Sequence, residues 1–478
     1  MIRKTILPLW VMVLMASCVS TPADTRVTLS GILENPPDSP VELNFFREYI
    51  NNDRKVLTLE MDTNGTFGLT FDVPGPVMAT LNIARTNLPI YLEPGFALHI
   101  EGDASHPAGL MSEMRFAGNG SRENQFLFSY HTDMDIASHR SLIRGKAASL
   151  SPEAFMQFAD SLANAKIVYL ESYDGSDMFS ESFTTYMKAG ILAVRYQSLI
   201  DYVNMPRHQG KPDVIPSMPE DFFAFDDDPD LFDGDRLINI DYTGFLLSWL
   251  EHKRQTDGIM FPPDKSRHVV SYRLAGEYLR GHAKEYVKAL SISREMNAGD
   301  LDTALVLFAE FRDMEPAGEV LRPLESAYER IRALWAGNPA PGFTMTDMDG
   351  REVSLADFQG KVVYMKFWAS WCGPCMRQVP PAAELKKRLA GEEDLVFLYV
   401  SIDTDPEAWR TTVLHHDITG VHMRTPGRER GTPALYNVRW IPTFYIIGRD
   451  GRIFDHRPPK PADPEIDEVL KQALAESA

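Results

Sequence analysis

A chain of 478 residues exceeds what a single hydrophobic core ordinarily organises, so several domains are expected. Hydrophobic residues at 44% and charged residues at 24% exclude wholesale disorder and a fibrous architecture. The formal charge of -19 is uneven: residues 336–478 hold 17 Lys and Arg against 20 Asp and Glu, which leaves most of the acidity upstream and, with no basic cluster interleaved with aromatics, excludes nucleic acid as a partner.

Residues 1–17 read as a signal peptide. Arg3 and Lys4 precede an apolar run from Ile6 to Met15, interrupted only by Pro8 and followed by the small pair Ala16-Ser17. The run falls short of the roughly 20 residues that span a bilayer as a helix. Leu14-Met15-Ala16-Ser17-Cys18 resembles a bacterial lipobox, with Met15 where leucine is usual. That resemblance implies lipid on Cys18 and a membrane anchor firmer than one acyl chain provides. Val19-Ser20-Thr21 carries neither the aspartate of an inner-membrane retention signal nor an acidic surface-export signal. The expectation is a periplasm-facing lipoprotein in a Gram-negative cell envelope, at the outer membrane.

Residues 26–120 alternate apolar and polar positions in short runs such as Val27-Thr28-Leu29-Ser30-Gly31 and Thr66-Phe67-Gly68-Leu69-Thr70-Phe71. Turn signals at Asn64-Gly65 and Pro74-Gly75 separate them, which predicts an antiparallel, sandwich-like β domain. From 121 to 335 the spacing becomes helical, with Phe155, Phe158, Leu162 and Ala165 on one face. The acidic stretch Asp226-Asp227-Asp228-Pro229-Asp230 with Asp233 and Asp235 lacks the distal glutamate and spacing of a calcium loop, and reads as solvated. His208, His252, His268 and His282 show no ligand spacing. No metal or cofactor is expected.

A linker, Ala336 to Pro341, opens the last unit, residues 336–478. Asp349-Gly350 predicts a hairpin turn, Val362 to Trp368 a buried strand, and the stretch from Cys372 to Leu389 a helix, with Val379, Ala382, Ala383 and Leu385 to Leu389 in its pattern and Pro380 and Pro381 kinking its second turn. Leu395 to Ile402 is a second buried strand, Asp450-Gly451 turns a closing hairpin, and Ile466, Val469, Leu470 and Leu474 line a terminal helix. Strand, helix, strand, helix, hairpin and helix compose an α/β fold.

The chain has three cysteines, too few for a disulfide-stapled scaffold. Two of them, Cys372 and Cys375, sit where the buried strand passes into a helix. Cys372 at the helix start meets unsatisfied N–H groups that stabilise a thiolate. Cys375, one turn on, can attack a mixed disulfide formed on Cys372 and close the ring. Zinc would need two further ligands, and no second Cys-x-x-Cys or His-x-x-x-His accompanies the pair; the spacing of His415, His416 and His422 does not supply them.

Trp368-Ala369-Ser370-Trp371-Cys372-Gly373-Pro374-Cys375, followed by Ile441-Pro442-Thr443, resembles the thioredoxin superfamily and most closely its TlpA/ResA/DsbE branch. The upstream segment Pro89 to Asp103 resembles the N-terminal β-sandwich that precedes thioredoxin modules in many Gram-negative lipoproteins. The resemblance implies a protein disulfide oxidoreductase with a Cys372–Cys375 redox disulfide surrounded by Trp371, Gly373 and Pro374, and a cis Pro442 facing it. It also implies protein thiol or disulfide substrates, a reducing direction, and a membrane-anchored electron donor. Lys366 stands where classical thioredoxins carry a buried aspartate, and Gln378 where this branch often carries glutamate. The spacing leaves Lys366 either turned into the core as an amine or snorkelling outward. Two rival readings stand beside this one. A thiol peroxidase would share the leading hairpin, but Met365 and Ala369 occupy the positions of its proline and threonine. Alternatively, residues 26–334 bind a partner and the redox domain is accessory.

Overall fold

The computed structural model describes residues 25–476 apart from 52, 85, 107–108, 206–217, 229, 233, 299, 426 and 428–430. The leader and Cys18 lie outside the described residues, as does His208.

Eight strands come first: β1 (Arg26–Glu34), β2 (Glu42–Glu48), β3 (Asp53–Thr58), β4 (Thr66–Asp72), β5 (Val77–Ile83), β6 (Thr86–Leu92), β7 (Ala97–Asp103) and β8 (Arg115–Asn119), with a short helix α1 (Leu110–Glu113) before the last. They build two four-stranded sheets, β4-β1-β7-β8 and β3-β2-β5-β6. Every pairing is antiparallel except β1 with β7. That exception departs from the expected purely antiparallel domain. The chain between β1 and β7 contributes the whole second sheet, a connection long enough to return it to the same end. In β1, Val27, Leu29, Gly31 and Leu33 point inward between exposed or half-buried neighbours. A Cβ on Gly31 would lie 2.0 Å from the carbonyl oxygen of Ile100, so no side chain fits there.

Helices α2 (Ser121–Asp133), α3 (Ile136–Ser149), α4 (Pro152–Ser172), α5 (Glu181–Val203), α6 (Ile240–Thr256), α7 (Arg267–Tyr278), α8 (Gly281–Ala298), α9 (Leu301–Arg312) and α10 (Gly318–Arg332) follow. Side-chain oxygens of Ser151, Ser180, Asn239, Ser266 and Asp300 cap five of their N-termini. Phe126, Phe183 and Met187 of α2 and α5 complete the core of the two sheets. Ile50, in the turn after β2, packs among Val269, Ile292, Phe311 and Leu324 of the helices, and Arg330 donates to the carbonyl of Asn51 at 2.9 Å. The β domain is thereby docked on the helical one. The acidic stretch is engaged by protein groups: Asp226 accepts from the Trp249 indole at 2.6 Å, and Asp228 pairs with Arg236 at 3.2 Å.

The last unit is a seven-stranded sheet ordered β10-β9-β13-β12-β11-β14-β15, comprising β9 (Thr344–Asp347), β10 (Glu352–Ser354), β11 (Val362–Trp368), β12 (Leu395–Ser401), β13 (Val421–Arg424), β14 (Thr443–Ile447) and β15 (Ile453–Asp455). Strand β11 is buried throughout, parallel to β12 and antiparallel to β14. Its helices are α11 (Gly373–Met376), α12 (Val379–Arg388), α13 (Pro406–His415), α14 (Gly431–Leu435) and α15 (Ile466–Ala475). The segment read as a linker is tied down. Gly337 N donates to Ile453 O at 2.8 Å, Ala340 N to Gly451 O at 3.0 Å, and Leu334 enters the core beside Met365 and Tyr445. The free edge of β15 offers the backbone groups this segment pairs with, and an edge tolerates its prolines.

Candidate active site

Along β11, Val363, Met365 and Phe367 enter the core that contains Leu334 and Tyr445, while Val362 and Tyr364 face the opposite side towards α12 and α15, and Trp368 packs with the two cysteines and with Trp409 and Val413 of α13. Past Trp368 the chain leaves the sheet and turns at Cys372, whose backbone N–H donates to Ala369 O at 3.1 Å. Cys372 and Cys375 form a disulfide. The Cys375 N–H points at Cys372 Sγ from 3.1 Å. The predicted helix is divided: α11 is a single turn, the ladder breaks at Arg377-Gln378, and Pro380 and Pro381 occupy the first turn of α12 because neither can donate to the turn before it. A one-turn helix has a small dipole, so the local N–H of Cys375 rather than a long macrodipole is what faces the sulfur of Cys372.

The Ile441–Pro442 peptide is cis, and the Ile441 carbonyl oxygen lies 3.7 Å from Cys372 Sγ. Trp371 is 66% exposed and Trp440 50% exposed, so two indoles stand in solvent on the elements that carry the cysteine and the cis peptide. Gly373 and Pro374 are exposed on the first turn, while Cys375 is sealed within the core. The face thus sets Cys372, itself only 4% exposed, beside the backbone of the cis peptide and two exposed apolar rings, a surface suited to a polypeptide.

Sequence reasoning missed Asp403, just past β12. Its carboxylate, 1% exposed, accepts from the Ser370 N–H at 2.9 Å, the Ser370 hydroxyl at 2.6 Å and the Ser401 hydroxyl at 2.6 Å. It pins the loop leading into Trp371-Cys372 to the end of the neighbouring strand. The signal available in the sequence is an acid directly after a buried strand.

Lys366 does not snorkel. It is 3% exposed, and its Nζ donates to the Cys375 carbonyl oxygen at 3.2 Å. The outward reading fails because β11 is central and walled by β12 and β14, leaving no route to water. Burial, with the nearby Lys386 charge adding to it, lowers Lys366 to about 8. Gln378 is half-buried, and its Oε1 has no hydrogen-bond partner among the described residues. Glu384 is exposed and paired with Lys387 at 2.8 Å, away from the cysteines. Met365 and Ala369 are buried and bring no hydroxyl to the sulfurs. Among the described residues no group of three or more His, Cys, Asp or Glu side chains is placed to hold a metal. His422 Nε2 donates to the Ile418 carbonyl at 2.6 Å, and the rings of His415 and His416 meet edge to face at 4.8 Å.

A thioredoxin-like sheet with a dithiol pair at the end of its central strand defines a thiol-disulfide oxidoreductase. Residues 335–470 match the Redoxin family. Over 121 residues the chain is 45% identical to the thiol-disulfide oxidoreductase ResA of Geobacillus thermodenitrificans, covering 25% of this chain and 68% of that protein. It is 32% identical to the thioredoxin-like protein YneN of Bacillus subtilis, covering 25% and 69%. Among solved structures, a putative thiol-disulfide oxidoreductase from Bacteroides vulgatus is similar at 33% identity, over 30% of this chain and 98% of that one, with a TM-score of 0.28. A putative thiol:disulfide interchange protein DsbE from Chlorobium tepidum is similar at 29% identity, over 30% and 99%, with a TM-score of 0.27. Through its C-terminal domain the chain belongs to the ResA-like thiol-disulfide oxidoreductases.

Proposed function

We propose that this protein is a lipid-anchored, periplasm-facing reductase of protein disulfides, in which Cys372 is the nucleophile and Cys375 the resolving thiol. The observation that carries the reading is the Cys372–Cys375 disulfide set against the cis Ile441–Pro442 peptide. In the reduced enzyme the Cys372 thiolate attacks one sulfur of a substrate disulfide. An S–S bond forms between Cys372 and that sulfur, and the other substrate sulfur leaves as a thiolate that takes a proton from water. The Cys375 thiolate then attacks Cys372 Sγ, closing the disulfide and releasing the second substrate thiol. Two electrons pass to the substrate, and a membrane-anchored dithiol donor restores the pair. Backbone beside Pro442 supports pairing with an extended substrate strand, and the Trp371 and Trp440 rings support apolar contact beside it. The lipobox-like Leu14 to Cys18 segment supports anchorage through Cys18 at the outer membrane, and the acidity upstream of residue 336 supports no role with nucleic acid.

Replacing Cys375 with Ala stalls the reaction at the mixed disulfide. Mass spectrometry of C375A from the envelope fraction should recover proteins linked through Cys372, and an empty trap defeats the reductase reading. A reduction potential near -120 mV, that of DsbA, in place of one near the -270 mV of thioredoxin, overturns the reducing direction.

A further inference from the structure

Behind the disulfide the fold encloses a positive charge where a proton-handling carboxylate would otherwise stand. In the sheet Lys366 lies directly between Tyr399 of β12 and Phe444 of β14. Its Nζ is 5.9 Å from the Trp368 ring, 5.7 Å from Tyr399 and 6.0 Å from Phe444, and its hydrogen bond goes to the backbone of Cys375 itself. Among the described residues no carboxylate forms an ion pair with it.

The titratable groups facing it from the surrounding elements are Tyr364 on its own strand, Tyr399 on β12, His422 on β13, Lys386 on α12 and Cys375 on α11; Glu384, Lys387 and Arg388 of α12 are exposed, and Tyr445 of β14 lies in the core on the other side of the sheet. Lys386 reaches over the other side of Tyr399, 4.8 Å from its ring, and donates to Thr419. His422 stacks on Tyr399 at 5.0 Å and is held neutral, lowered to about 4 mainly by burial. Burial likewise raises Tyr364 and Tyr399 well above the ordinary phenol range, so neither is an anion. The enclosure is therefore cationic or neutral on every side, and the one group in it that can become an anion is the Cys375 thiol.

We propose that Lys366 is a positioning residue for the second half of the reaction: its ammonium, fixed on the Cys375 carbonyl, favours the Cys375 thiolate and so speeds resolution of the mixed disulfide. The proposal rests on the dithiol reading above. The Cys375 thiol gives its proton to water. The thiolate attacks Cys372 Sγ, the Cys372–Cys375 bond forms, and the bond from Cys372 to the substrate sulfur breaks with its electron pair going to the substrate. Lys366 exchanges no electrons and stays protonated. An opposite charge within about 4–6 Å moves an ionisable group downward by about one to three pH units, so removing such a charge lowers the thiolate fraction at neutral pH about tenfold or more.

The test uses the full chain with C18S and C372S, which leaves Cys375 as its one thiol, and follows thiolate ultraviolet absorbance against pH. K366M should raise the midpoint by about one unit, K366D further, and K366R should stay near the parent. In the chain with both active-site cysteines, single-turnover resolution by K366M should be about tenfold slower at neutral pH and converge on the wild type in alkali. An unchanged midpoint in K366M, or a K366R midpoint displaced as far as that of K366M, overturns the proposal. If K366M does not fold, K366Q carries the test: a rise of the same sign supports the proposal, and an unmoved midpoint overturns it. Insulin reduction by the C372S chain at the wild-type rate would sink the dithiol reading instead, whatever the Lys366 variants do.

Discussion

Asp403→Ala removes the anchor of the active-site loop. The wild-type carboxylate takes three hydrogen bonds, at 2.9, 2.6 and 2.6 Å, from Ser370 and Ser401. A bond to an ionised acceptor contributes about 1.5–3 kcal/mol, and a buried donor left without a partner costs about 1–3 kcal/mol. Releasing the buried carboxylate from its desolvation offsets part of that sum, so a net loss of about 3 kcal/mol is expected. For a domain of this size the loss lowers the melting temperature of its transition by about 10 °C. Asp403→Asn keeps the shape and one acceptor oxygen and should lose about 1 kcal/mol. Calorimetry of the full chain measures both, and insulin reduction should fall in D403A because Ser370, which leads into Trp371 and Cys372, is no longer held. If D403A melts within 2 °C of the wild type, or if D403N loses as much as D403A, the carboxylate does not anchor the loop as argued.

His422 makes stability depend on pH. Its folded value is lowered to about 4 while the unfolded value is the ordinary 6.5, so the unfolded chain binds the extra proton and stability falls as pH drops from about 6.5 towards 4. H422Q, which keeps a donor for the Ile418 carbonyl, should flatten that acid limb in urea titrations at pH 7 and pH 5; an unchanged limb refutes the assignment. Ile50→Ala empties a site 2% exposed between the β2–β3 turn and helices α7–α10, and should cost about 2–4 kcal/mol. Limited proteolysis should then separate the β domain from the helices, and an unaltered cleavage pattern would show that the turn is not what docks them.

The two buried strands around the site were readable because each is a continuous apolar run between turn signals, and β11 begins and ends where the run does. The hairpins at Asp349-Gly350 and Asp450-Gly451 were readable because their glycines take positive φ, 82° and 76°. The parallel β1–β7 pair was not, since period-two alternation is the same whichever neighbour a strand takes. The segment after Leu334 reads as a linker by composition, and only the open edge of β15 turns it into paired backbone.

By itself the sequence determined the cysteine spacing, the strand that leads into it and the proline some distance on, because these depend on local chemistry. Which groups enclose the pair was decided by tertiary structure. Lys366 is one polar residue in an apolar strand, and whether it turns inward or snorkels depends on β12 and β14 closing both sides of it. Asp403 gains its role only when β12 brings it beside Ser370, a residue 33 positions earlier in the chain. Contacts between segments far apart in sequence leave no periodic trace, so the site's two cysteines were legible and the charge behind them was not.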